Sequence, residues 1–195
     1  MYDEIIDSYS NDSEEKIKEE FTDFLVRIGE RHFLPRREEI EAREEYKKKD
    51  EAWEKLSCMA GENEGLKTAI LKLDNFISYQ ATLIEDLFCQ CGIAAYLAKK
   101  DLKATIPEAI KLCRTGEYKQ HIAGRSSENY NRLLEEFESD RQYIIDKLGE
   151  PAADIIDDLV RLETEAAEPD YIIRYIGAYL DAKLIIESMK VSAIN

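Results

Sequence analysis

GLKTAILKLDNFISYQATLIEDLFCQCGIAAYLA, residues 65–98, decides the fold. Leu66, Ile70, Leu73, Ile77, Gln80, Ile84, Leu87, Cys91, Ala94 and Ala98 follow one another in alternating steps of four and three. Such steps bring side chains back to one side of an α-helix, so the stretch predicts a single long helix with an apolar seam. Over residues about 64–100, at ~1.5 Å rise per residue, that helix is roughly 50 Å long. Ala69, Phe76, Leu83, Phe88 and Ala95 widen the seam. A wide stripe suits packing among several helices better than a two-stranded coil. Gln80 is the one polar residue on the seam. It either fixes register through a buried hydrogen bond or sits at a wet edge.

Reading outward from this helix, the rest of the chain is also helical. GENEG at 61–65 is a turn. Before it, residues 37–60 read as one charged helix carrying Ile40, Tyr46, Trp53 and Leu56, preceded by a connector around Pro35. Ile17, Phe21, Phe24, Leu25 and Ile28 mark an amphipathic helix capped near Asn11-Asp12-Ser13, and residues 1–12 read as a frayed end. Downstream, Thr105-Ile106-Pro107-Glu108 opens a helix with Thr105 as its cap and Pro107 in its first turn, ending near Thr115. A loop over 115–127 leads to a helix over 127–148. After the turn Gly149-Glu150-Pro151, a helix around Ile155–Leu162 is expected to break at Pro169 before a last apolar helix over 170–190.

The two halves of the chain echo one another. LVRIGE at 25–30 and LCRTGE at 112–117 both fit L-x-R-x-G-E. EEYKKKDEAWEK at 44–55 lies over ENYNRLLEEFES at 128–139, matching Tyr46 with Tyr130 and Trp53 with Phe137. Gly92 and Gly177 each sit inside an apolar helix. The expected fold is therefore an all-α bundle of two tandem helical-hairpin repeats, 13–104 and 105–195, packed as one unit. The paired aromatics are expected in the core. A glycine costs a helix interior about 1 kcal/mol relative to alanine, so the two glycines point to close approach of another helix. Arg27 and Arg114 are placed to cap the ends of the first helix of each copy.

Composition narrows the function classes. The 195 residues carry a net charge of −15, which disfavours binding to a phosphate backbone or an anionic membrane and leaves basic proteins as partners. Hydrophobic residues make up 44%, enough for a core. No apolar run reaches the ~18 residues of a membrane span, and the first residues lack a signal-peptide core, so a cytoplasmic protein is expected. Cys58, Cys89, Cys91 and Cys113 lack paired C-x-x-C spacing and read as small buried hydrophobes.

The second half, from TGEYKQHIAGRSSENYNRLLEEFESDRQYIIDKL to YIIRYIGAYLDAKLIIESM, resembles small uncharacterised all-helical proteins of bacterial genomes, phages and mobile elements. The resemblance covers about 105–190. It implies a helical fold and brings no activity with it.

No residues converge on a catalytic or cofactor-binding motif, and no cofactor is implied. A ferritin-like di-iron site needs Glu-x-x-His on two helices, and neither His32 nor His121 has that context. Zinc shared between those two histidines is conceivable, since both lie in equivalent connectors. The favoured function is a non-enzymatic protein–protein interaction or accessory factor, with a protein partner or a second copy of the chain. One alternative is a magnesium-dependent all-α nucleotide pyrophosphohydrolase. Glu135 and Glu138 on one helix, with Asp154 and Asp157 on the next, would hold the hard cation. A second alternative is an acidic, nucleic-acid-mimicking inhibitor.

Overall fold

The structure is a computed structural model that describes residues 37–123 and 128–192. Among the described residues every regular element is an α-helix. In chain order these are α1 (Arg37–Glu41), α2 (Glu44–Ala60), α3 (Glu64–Leu97), α4 (Leu102–Thr115), α5 (Tyr118–Ala123), α6 (Glu128–Leu148) and α7 (Glu150–Ser192). None of them is long and apolar enough to cross a membrane. The single helix expected from about 13 to 29, which carries Arg27, and the connector after it, which carries His32, lie outside the described residues.

Local chemistry sets most of the boundaries. Asn63 Oδ1 accepts the Leu66 N–H at the start of α3. Asp101 Oδ2 accepts the Ala104 N–H at 2.9 Å and caps α4. Asp101, not Thr105, is thus the cap. The Thr105 hydroxyl instead donates to the Leu102 carbonyl inside the first turn. The Gly-Glu end of this helix is a left-handed stop, with Gly116 at φ 68°.

Three boundaries differ from expectation. The 37–60 segment is two helices, because Arg43 is extended and α2 restarts with Glu44 and Glu45 in its first turn, where acids favour the helix dipole. The 115–127 loop contains α5, anchored by the buried Tyr118. Pro169 does not interrupt the last helix: α7 runs through it for 43 residues. The proline forfeits one backbone hydrogen bond. Buried Ala166, Ala167, Tyr171, Ile172 and Ile173 on either side hold the helix together by packing.

The chain forms two compact units. Unit 2 comprises 39–83 and 119–167. Its core draws Ala52, Leu56 and Ala60 from α2, Leu66, Ala69, Ile70, Leu73 and Ile77 from α3, Ile144 from α6, and Ala152, Ile156, Leu159 and Leu162 from α7. Side chains as fully buried as Leu56, Leu73 and Ile156 each contribute about 1.5–3 kcal/mol. Trp53 and Phe137, the matched aromatics of the two halves, both pack against this core. Helices α3 and α6 run antiparallel. Lys72 meets Asp140, Phe76 meets Phe137 at 4.7 Å between ring centroids, and Gln80 meets Tyr130, so one index falls as the other rises. Gln80 is half-buried and donates from Nε2 to the Tyr130 hydroxyl at 3.2 Å. Its place on the seam is a specific polar contact.

Unit 1, within the described residues, comprises 37–38, 84–118 and 168–192. Here α3 and α7 run parallel. Phe88 stacks on Tyr171 at 5.6 Å, Gly92 faces Tyr175, and Tyr96 meets Tyr179 edge-on at 5.5 Å. Both indices rise together with a constant separation. The Tyr179 hydroxyl closes the series by donating to the Lys100 carbonyl at 2.7 Å.

The seam itself turns. From Leu66 to Leu87 its apolar members are buried as the heptad predicts, but Ala94 and Ala98 are exposed. Phe88, Cys89, Gly92 and Ala95 are buried in their place. A heptad line drifts about 20° per repeat around an ordinary α-helix. After four repeats the residue one position later occupies the original face.

Gly92 makes the tightest contact. A Cβ built there would lie 2.2 Å from the Tyr175 carbonyl oxygen and 3.2 Å from the Tyr179 nitrogen, both backbone atoms. Alanine ordinarily gains about 1 kcal/mol over glycine in a helix. At this position the backbones must separate, so Gly92→Ala is expected to destabilise the protein by about 1–3 kcal/mol net in chemical denaturation. A neutral or stabilised variant would contradict the packing.

Candidate functional site

The acidic residues singled out from the sequence do not converge. Glu135 and Glu138 on α6, and Asp154 and Asp157 on α7, are all exposed. Asp157 accepts a 2.8 Å hydrogen bond from Arg141. Among the described residues no group of three or more histidine, cysteine or acidic side chains could hold a metal ion. His121 falls on α5 with its side chain outside the described set, and His32 lies outside it altogether. Arg114 forks Glu168 with two hydrogen bonds, Nε at 2.7 Å and a terminal nitrogen at 2.9 Å.

None of the four cysteines, all among the described residues, is in a disulfide. Cys89 and Cys113 are buried, and burial pushes each thiol up to about 12, so neither supplies a thiolate near neutral pH. Cys58 is exposed, contrary to its expected place as a buried hydrophobe.

Two places in the described structure have features beyond ordinary packing. The first is an open depression of about 480 Å³ on unit 2, between α2 and α3. Trp53, Ala60, Ile70 and Leu71 provide its apolar walls, with Ser57, Lys67 and Asp74 at the polar edge. Leu71 is 60% exposed, one of few large apolar side chains so placed. It stands on the outer side of α3 because its neighbours Ile70 and Leu73 take the core positions of the seam.

The second place is a buried charge cluster in unit 1. Arg174 of α7 reaches Asp170, one turn earlier, from Nε at 3.1 Å, and Glu85 of α3 from a terminal nitrogen at 3.1 Å. Glu85 and Asp170 are also within hydrogen-bonding reach of each other. The side chains of Arg174 and Asp170 are 14% and 9% exposed. Asp170 Oδ1 is buried without a hydrogen-bond partner. Two carboxylates thus share one guanidinium in a region of low polarity.

Burial raises Glu85 to about 7. Arg174 opposes the shift, and the neighbouring Asp170 and Asp86 add to it. Asp170 is raised for the same first reason against the pull of Arg174. Burial alone would lower Arg174, but Asp170 and Glu85 beside it raise it, so the guanidinium stays charged.

Sequence reasoning missed this cluster because it looked for exposed acidic pairs. The available signal was the opposite one. Asp170 and Arg174 stand four apart among Tyr171, Ile172, Ile173, Tyr175 and Ile176, where a charge has no route to water.

Asp181, farther along α7, is 5% exposed, and its Oδ1 has no partner. Burial raises its carboxyl from 3.8 to about 7. The folded chain therefore holds a proton there that the unfolded chain releases from about pH 4 upward. Stability falls as pH rises through that window and levels off above about 7, by up to about 1.4 kcal/mol per pH unit. Asp181→Asn is expected to remove this part of the pH dependence and to raise the denaturation midpoint at pH 8 more than at pH 5. Equal effects at both values would show that Asp181 ionises normally.

No protein-family model, no curated protein and no solved structure matches this chain.

Proposed function

We propose that this chain is a non-enzymatic helical protein that acts by binding another protein, and that its contact face is the α2–α3 surface of unit 2 around Leu71. The observation that carries the reading is the juxtaposition of a protruding Leu71 with an apolar-walled depression. An apolar knob beside a hollow is the usual form of an interface anchor. The acidic character of the chain favours a basic surface on any foreign partner. Four cysteines with no disulfide among them support a reducing, cytoplasmic setting. The resemblance of the second half to proteins of phages and mobile elements suits an accessory factor of such an element.

A second copy of the chain is a specific occupant of this face. Lys67 and Asp74 lie on α3 at equal distances either side of the Ile70–Leu71 pair and both edge the depression. A twofold axis there would run two α3 helices antiparallel. Lys67 of each copy would then face Asp74 of the other, and each Leu71 the opposite hollow. Light scattering on the purified chain is expected to show a dimer that Leu71→Asp abolishes. Lys67→Glu should weaken it, and Lys67→Glu combined with Asp74→Lys should restore it. A monomer that still captures a partner in a Leu71-dependent manner would move the reading to a foreign protein. Association unaffected by Leu71→Asp would refute the face.

We also infer that the chain is a tandem duplication. The helix order supports it, since α2 and α3 are joined by a short glycine-bearing turn and α6 and α7 by Gly149 alone. So does the parallel pairing of α3 with α7, in which the separation between contacting residues is close to the spacing of the repeat. Residues equivalent in the two copies would thereby lie at similar heights along the pair. Gly177, buried like Gly92, is then the second contact point. Gly177→Ala is expected to destabilise the protein about as much as Gly92→Ala. Stabilisation by Gly177→Ala would count against the duplication.

A further inference from the structure

We propose that Glu85, Asp170 and Arg174 form a proton-operated latch between α3 and α7 in unit 1, closed while one proton is held between the two carboxylates and loosened when that proton leaves. The argument starts from charge. Arg174 can neutralise one carboxylate, and its Nε and terminal nitrogen are divided between two. A second carboxylate ionised in the same low-polarity space lacks a counter-charge. The buried Asp170 Oδ1 lacks even a hydrogen-bond donor. A proton on either acid resolves both problems, since it removes the excess charge and supplies an O–H donor between Glu85 and Asp170.

The groups facing the pair, among the described residues, are Asp86 and Cys89 from α3 and Arg174 from α7. Asp86 pushes the Glu85 carboxyl further up and Cys89 stays a neutral thiol, so neither replaces the proton. Burial places the loss of the Glu85 proton at about 7, which sets the operating range near neutrality. The opened helix contact hydrogen-bonds to water and carries carboxylates of ordinary acidity. Raising the pH therefore favours opening.

Cys89 reports on the latch because it lies one helical turn beyond Glu85 and is 1% exposed. It reacts with a thiol reagent only when the α3–α7 contact opens. The exposed Cys58 in the same chain corrects for the effect of pH on thiol reactivity itself. The experiment alkylates the full chain with N-ethylmaleimide and follows Cys89 and Cys58 separately by peptide mass spectrometry. The Cys89-to-Cys58 rate ratio is expected to rise about tenfold from pH 6 to pH 8.5, as linkage requires for a carboxyl that moves from about 7 when closed to its ordinary value when open.

Glu85→Gln keeps the shape and the donor while removing the charge, so its ratio is expected to stay flat. Asp181→Asn is expected to keep the rise. A flat ratio in the unaltered chain overturns the latch, and so does a rise of equal size in Glu85→Gln. If Glu85→Gln fails to fold, carboxyl carbon NMR of the unaltered chain decides. A Glu85 midpoint near neutrality supports the latch, and one in the ordinary glutamate range overturns it.

Discussion

The contact of Gly92 with the Tyr175 carbonyl constrains everything built around α3 and α7 in unit 1. With backbone meeting backbone, no side chain fits between the helices at that height. Larger groups must lie above and below it, and they do so in sequence: Phe88 on Tyr171 on one side, Tyr96 on Tyr179 on the other. Aromatic pairs of this kind add about 0.5–1.5 kcal/mol beyond their burial. The glycine thus exchanges a local helix penalty for a close, parallel fit with aromatic clamps at both ends.

The same fit explains why charge lies inside. Parallel helices this close bring Glu85, nearly one turn before Phe88, to Asp170 and Arg174, which lie on either side of Tyr171 in sequence. An apolar trio of similar size would often be as stable or more so. The charged version makes the pairing of α3 with α7 specific. A shift of either helix by one turn would separate Arg174 from Glu85 and leave buried charges without partners.

Much of the fold was legible in the residues. The seam from Leu66 to Leu87 gave its helix and its buried face, and Gly92 announced a close approach. In unit 2, α6 follows from periodicity, whereas the break at Arg43 and the short α5 do not. What escaped were features set by competition between local and tertiary forces. Pro169 is a helix breaker by its own chemistry, yet buried neighbours on both sides override it. Thr105 looks like a cap until Asp101, a stronger acceptor, is seen to hold the free N–H. The burial line of α3 after Leu87 could not be read from a strict heptad, because a helix turns slightly less far per residue than that repeat assumes. Of the charge cluster, Asp170 and Arg174 stood out as charges within an apolar run, but their third member, Glu85, lies on a helix far away in sequence and is ordinary by itself. The depression at Trp53 and Leu71 depends on side chains of two helices and has no signature in either alone.

The parallel arrangement of α3 and α7 also bears on how the chain reaches its fold. Neighbours joined by short turns, α2 with α3 and α6 with α7, can meet soon after their helices form, since few residues need to be closed into a loop. The parallel pair is different. Its contacts join residues of opposite halves of the chain, and no short turn can connect two parallel helices end to end. Loop-closure entropy therefore places it after the local hairpins. The glycine contact, the aromatic stacks and the buried charges then belong to the last step of assembly. Strengthening them would slow the departure from the native state more than it would speed its formation.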